Sequence, residues 1–185
     1  MPPQWAVLVV IGWSCLRLGE YVLSEANMGP LLDRGGVECC LRQHRPLLLV
    51  NAAVPTLAMG SIWLHVRADG SDVGLGPASV PALVLLVAAE SLHWSAILTL
   101  GRRWTTGVVV VPGELPVVRG PYRLLHHPGY AGGAASGALL PLVAGSWGLA
   151  LVAASMLAAV VATRVRCEDA AWRDIGGAAA VSSSA

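Results

Sequence analysis

The sequence predicts an all-α, polytopic integral membrane protein. Hydrophobic residues make up 55% of the 185 positions and charged residues only 12%, with a mean hydropathy of +0.64. Ordinary soluble domains carry about 25% charged residues. The charges are also clustered: seven lie in 20–45, five in 102–123 and six in 164–174, out of 23. Between the clusters run uncharged stretches at 46–66, 73–89 and 124–163, of the length that crosses a bilayer. The same composition excludes a disordered regulator, which needs low hydrophobicity and high charge. A net charge of +1 without a dense basic stripe argues against nucleic-acid binding. All 12 basic residues are arginine, and phenylalanine is absent; both read as compositional bias.

Taken in order, the first span covers about 5–23, with Arg17 and Glu20 near its far end. Met1-Pro2-Pro3-Gln4-Trp5 lacks the basic start of a cleavable signal peptide. A second span occupies about 46–66. A loop with Arg67, Asp69, Gly70 and Asp72 follows, ended by Gly76-Pro77. The third span, about 78–100, is interrupted by Glu90 and His93. Prolines and glycines between 102 and 121 then predict extended structure rather than helix. The 40 uncharged residues of 124–163 would make one helix about 60 Å long, twice the hydrocarbon thickness. They must fold back near Pro141 and Gly145-Ser146-Trp147-Gly148, with arms at about 129–143 and 147–163. The expectation is about five crossings, or four and a re-entrant hairpin, in a single domain over 1–176. Residues 177–185 form a low-complexity tail.

With a hairpin, Arg34, Arg42, Arg45, Arg102, Arg103, Arg119, Arg123, Arg164, Arg166 and Arg173 fall on one side, which the positive-inside rule makes cytoplasmic. The expected location is the cytoplasmic membrane, with the motif-bearing segments facing the cytoplasm. Cys15, Cys39, Cys40 and Cys167 form no Cys-x-x-Cys pair and are expected to be reduced thiols.

Two segments could carry chemistry. In the first, Gly120-Pro121-Tyr122-Arg123 precedes His127-Pro128-Gly129-Tyr130-Ala131-Gly132. Pro128 suits a first helical turn, and a helix N-terminus there suits a carboxylate or phosphate. The second segment is Arg164-Val165-Arg166-Cys167-Glu168-Asp169. On a continuing helix Arg164 and Glu168 share one face with Ala171 and Trp172; the plain alternative is a solvated helix end anchored by interfacial arginines.

The combination of these motifs with the intervening hairpin resembles the isoprenylcysteine carboxyl methyltransferase family over roughly 102–176. A weaker likeness reaches Arg17-Leu18-Gly19-Glu20, Asn27, Arg34-Gly35-Gly36-Val37-Glu38 and His44. It is similar to a bacterial subgroup paired with type III polyketide synthases, whose members methylate hydroxyls of long-chain pyrones and resorcinols. The resemblance implies S-adenosyl-L-methionine as cofactor, a lipophilic small-molecule acceptor (alkylpyrone- or alkylresorcinol-like, or isoprenylcysteine-like), and a functional link to such a synthase. It implies cofactor binding by Tyr122, Leu125, His127, Pro128, Tyr130 and Glu168. Arg164 and Glu168 would act beside the transferring methyl, with Arg164 holding an anionic acceptor, and Arg17 and Glu20 would join Arg164 in lining the substrate site. Aromatic faces and a carboxylate attract a cationic sulfonium. The chain departs from the family pattern at His126, where arginine is usual, and at Gly129, Ser136, Asp169 and Trp172.

Other readings stay open. Arg17 and Glu20 are i,i+3 and can form an internal ion pair or line a substrate pocket; Glu90 and His93 form a similar pair, because intramembrane charges need partners. His44, His65 and Asn51 show no metal-ligand spacing, and no metal is expected. The rival functions are a non-catalytic paralogue acting as a membrane scaffold and a membrane reductase, the latter without a dinucleotide signature.

Overall fold

The computed structural model describes residues 4–69 and 79–176. Five α-helices follow in chain order: α1 Gln4–Asp33, α2 Leu41–Asp69, α3 Ser79–Leu100, α4 Pro128–Val143 and α5 Trp147–Ala171. The protein is an all-α membrane protein. Among the described residues, four stretches are long and apolar enough to cross a bilayer: Trp5–Asp33, Leu41–Arg67, Ser79–Arg103 and Trp147–Ile175. With 16 residues, α4 is about 24 Å long, short of a ~30 Å hydrocarbon core. It pairs with α5 through a turn in which Gly145 takes a left-handed φ of 81°. Pro141 sits inside α4 rather than at the bend; the turn falls entirely on Ala144-Gly145-Ser146, where Gly145 permits the backbone that Pro141 cannot. The Gly70–Gly76-Pro77 loop, the first residue of the expected third span and the 177–185 tail lie outside the described residues.

The bundle has an apolar core and a largely apolar outer face. Ala6, Val10, Trp13, Val54, Ile62, Leu86, Leu140 and Leu157 meet in the core, while Leu8, Val22, Leu49, Leu98 and Leu151 stay largely exposed. Apolar side chains turned outward on several helices suit a lipid surround, not water. The closest helix pair is α3 on α4. A Cβ on Gly132 would lie 2.7 Å from the His93 backbone nitrogen and 2.8 Å from the Ala89 oxygen, so only glycine allows this approach.

Three features differ from the sequence expectation. First, α1 continues ten residues past the expected end at 23, because the loop 101–106 satisfies its polar residues. The Ser24 hydroxyl lies 2.9 Å from that of Thr106 and accepts from the Thr106 amide, and the Asn27 amide donates to the Trp104 carbonyl at 2.8 Å. Second, an antiparallel ribbon pairs β1 Val37–Cys39 with β2 Val108–Val110, with Glu38 opposite Val109. Third, Cys40 and Cys167, 127 positions apart in the sequence, are joined by a disulfide with Cα atoms 6.0 Å apart. The expectation of reduced thiols fails for this pair because spacing rules see only local patterns, whereas the ribbon and α5 bring distant cysteines together. Cys15 and Cys39 remain free; burial, aided by Glu38, pushes the Cys39 thiol up from its usual range.

Candidate active site

A cavity of about 570 Å³ opens between the 101–127 segment, the start of α4 and the end of α5, and runs down between α1 and α3. Its upper part carries Tyr122, His127, Tyr130, Glu168 and Asp169; its floor carries Arg17, Glu20 and His93. A wider, shallow groove between α1 and α2, walled by Val10, Cys15, Met59 and Trp63, holds no charged side chain.

The upper part is built by two helix ends. His127 precedes Pro128, the first residue of α4, so Pro128 gives up no helical hydrogen bond there. One turn on, the Tyr130 hydroxyl donates to Glu168 Oε2 at 2.7 Å and accepts from Arg164 Nε at 2.9 Å. Arg164 and Glu168, expected to share one helix face, are thus joined through a tyrosine from α4. His127 stacks on Tyr130 at 5.6 Å between ring centroids, and its Nε2 lies 3.0 Å from Asp169 Oδ1. Tyr122 sits in a 3₁₀ turn over Gly120–Arg123. Burial, and secondarily the Glu168 carboxylate, pushes its phenol up to about 12. It is a neutral wall and donor at physiological pH, not a base.

Arg164 is 1% exposed and stands behind the cavity wall. Its Nη2 donates to the Thr106 carbonyl and its guanidinium lies 5.6 Å from the Tyr130 ring centre. Nε and Nη2 are thus committed to Tyr130 and Thr106, while Nη1 is buried without a hydrogen-bond partner among the described residues. Arg164 is not among the cavity-lining residues, and its place fits fixing Tyr130 and Glu168. Pro128 is likewise buried behind the wall, and Leu125 is 44% exposed and outside the lining.

At the floor, Arg17 contacts Glu20 at 2.8 Å and donates to both Glu90 oxygens at 2.7 and 2.9 Å. The expected ion pair of Arg17 and Glu20 is formed, and both residues line the cavity. Glu90 and His93 do not pair with each other as their i,i+3 spacing suggested. Each turns to α1 instead, Glu90 to Arg17 and His93 Nε2 to Glu20 Oε1 at 3.1 Å. His93 also donates from Nδ1 to the Gly129 carbonyl at 2.6 Å, tying the floor to the His-Pro segment. Sequence reasoning found no link between these groups and the upper cluster. The signal was their presence as ionisable residues inside a span; their partners, 73 positions apart in each case, were not legible.

The departures from the family pattern find places too. His126 and Trp172 line the cavity, and the Gly129 carbonyl receives His93. Ser136 is fully buried, donating to the Gly133 carbonyl at 3.1 Å and accepting from Trp13 Nε1 at 3.3 Å.

Residues 82–173 match the family model of the isoprenylcysteine carboxyl methyltransferase (ICMT) family. The chain is 25% identical over 158 residues to the uncharacterized protein YpbQ of Bacillus subtilis (strain 168), an alignment that covers 85% of this chain and 90% of that one. No solved structure matches. The matched region takes in most of α3, all of α4 and α5, and every residue of the upper cavity cluster, and on that match this membrane protein belongs to the isoprenylcysteine carboxyl methyltransferase family.

Proposed function

We propose that the protein transfers a methyl group from S-adenosyl-L-methionine to a hydroxyl or carboxyl oxygen of a lipophilic acceptor at the cytoplasmic membrane. The observation that carries this reading is the Tyr130–Glu168–Arg164 cluster at the mouth of a cavity that descends between apolar helices. When bound, the cofactor supplies an electrophilic methyl on a sulfonium. The residues present fit such a cation: the Glu168 carboxylate is fixed by Tyr130, and Tyr122, Tyr130 and His127 offer aromatic faces. Arg164, held behind Tyr130, keeps the carboxylate oriented. Holding two reactants in line is itself a large part of catalysis in displacement reactions.

A long alkyl tail suits the apolar side of the cavity, where Leu157, Val161 and Ala134 form part of the wall. The acceptor class we favour is an alkylpyrone, an alkylresorcinol or an isoprenylcysteine, the first two linked to a type III polyketide synthase. The cofactor site faces the cytoplasm in this reading, because arginines concentrate at that end.

Isothermal calorimetry on detergent-solubilised protein tests the cofactor half of the proposal. S-adenosyl-L-methionine is expected to bind, and Glu168→Gln to weaken binding about 10- to 100-fold, the worth of a hydrogen-bonded charge contact. Absence of binding at millimolar cofactor would sink the reading and favour a non-catalytic scaffold.

A further inference from the structure

The upper cluster makes no use of the cavity floor. Glu20 is 6% exposed and His93 8%, and both line the cavity. Among the described residues, His93 Nε2 is buried without an aligned hydrogen-bond partner and lies 3.1 Å from Glu20 Oε1, which is also unaligned but has Arg17 Nη2 at 2.8 Å.

Hydrogen bonding fixes the imidazole tautomer. His93 Nδ1 is 2.6 Å from the Gly129 carbonyl oxygen, and a carbonyl only accepts, so Nδ1 carries the hydrogen. In the neutral ring Nε2 is then a lone pair, facing a second lone pair on the Glu20 carboxylate. Arg17 Nη2, 2.8 Å from Glu20 Oε1, balances the carboxylate charge, whereas the buried Nε2 lone pair has no donor of its own and is open to a proton that the adjacent carboxylate would then hold there. The surrounding charged groups are Arg17 from α1 and Glu90 from α3; α2 contributes Asn51 to the lining, and α4 the uncharged Gly129 and Gly133. A Cβ on Gly133 would lie 3.2 Å from His93 Nδ1. Gly133 and Tyr130 are i,i+3 on one face of α4, both at the cavity wall, about 5 Å apart along the axis. The acceptor pair thus lies one helical turn deeper than the Tyr130–Glu168 contact.

We infer that Glu20 and His93 together take up the proton of a neutral hydroxyl acceptor, an inference that rests on the methyl-transfer reading above. The O–H bond breaks and its proton passes to the Nε2–Oε1 pair. The electron pair left on oxygen forms the O–CH₃ bond as the S–CH₃ bond of the donor breaks, and that bond's electrons remain on sulfur as a neutral thioether. The proton leaves to water with the product. A carboxylate acceptor has no proton to surrender and would bring a third negative charge to Glu20 and Glu90, so the floor selects hydroxyl over carboxyl acceptors.

The test uses detergent-solubilised protein and 4-dodecyl-2-nitrophenol, whose phenolate absorbs in the visible. Without cofactor, the bound probe is expected to ionise about one pH unit or more below its value in protein-free micelles, the size of shift a specific partner produces. In Glu20→Gln the amide supplies the missing donor to Nε2 and so preserves the packing. There, and in His93→Gln, the probe should return to its micelle value. Methyl transfer to 5-pentadecylresorcinol should fall about 100-fold or more in Glu20→Gln, the usual worth of a general base, with calorimetric cofactor binding unchanged. An unshifted probe in the wild type, or a Glu20→Gln protein that methylates the resorcinol at the wild-type rate, overturns this inference alone. A wild type that binds no cofactor overturns the methyl-transfer reading, and this inference with it.

Discussion

Tyr130 holds the upper site together with a single hydroxyl. That group has one hydrogen to give and two lone pairs; the hydrogen goes to Glu168 and a lone pair receives Arg164 Nε. Tyr130→Phe leaves a buried guanidinium and a carboxylate each short of a partner, at a cost of about 1–3 kcal/mol. A lower thermal unfolding midpoint in detergent, together with weaker cofactor binding, is expected; an unchanged midpoint would mean that Arg164 and Glu168 find other partners. Tyr122, His127, Tyr130 and Glu168 were legible as site candidates because their order and spacing carry a motif. The place of Arg164 was not, since a sequence shows that two residues share a helix face but not which side chain stands between them. The same limit hid the turning of Glu90 and His93 toward α1, where charges on different spans choose partners by packing.

At the scale of elements, the helices were legible from apolar run length, and their ends were not. Polarity ends α1 at 23 in the sequence, yet Ser24 and Asn27 find hydrogen-bond partners in the 101–106 loop and the helix continues to Asp33. The ribbon of β1 and β2, three residues each, was too short to register as a pattern, and with it went the means to foresee the Cys40–Cys167 bond. That bond ties the chain between β1 and α2 to the turn of α5 that carries Glu168. Cys40 holds a left-handed φ of 62°, a conformation that non-glycine residues avoid, so the cross-link sits where the backbone is already constrained. A disulfide typically stabilises a fold by about 2–4 kcal/mol. Reduction, or Cys40→Ser, is expected to lower the unfolding midpoint and to raise hydrogen exchange at 164–171 before the rest of α5. Equal exchange in oxidised and reduced protein would show that the bond does not restrain the site.

For the whole molecule, scarce charge proved the most informative property of the sequence. Eighteen of the 23 charges sit in three short segments, and the described fold brings members of all three to one cavity: Glu20 from the first, Arg103 and Glu114 from the second, Glu168, Asp169 and Arg173 from the third. Outside this region the helices expose large apolar side chains such as Leu8, Val22, Leu49, Leu98 and Leu151. A polar cavity that continues into an apolar bundle suits a reaction in which one reactant comes from water and the other from lipid, which is how the fold accounts for the proposed activity. The most direct measurement of that claim is incorporation of label from methyl-labelled S-adenosyl-L-methionine into an alkylresorcinol or alkylpyrone by purified protein in detergent, comparing wild type with Glu168→Gln. The account predicts a labelled, lipid-extractable product from the wild type and at least a tenfold lower rate from the variant, as expected for about 1.4 kcal/mol or more of lost transition-state stabilisation. No labelled product from folded, cofactor-bound wild type, or equal rates from the two proteins, would contradict it.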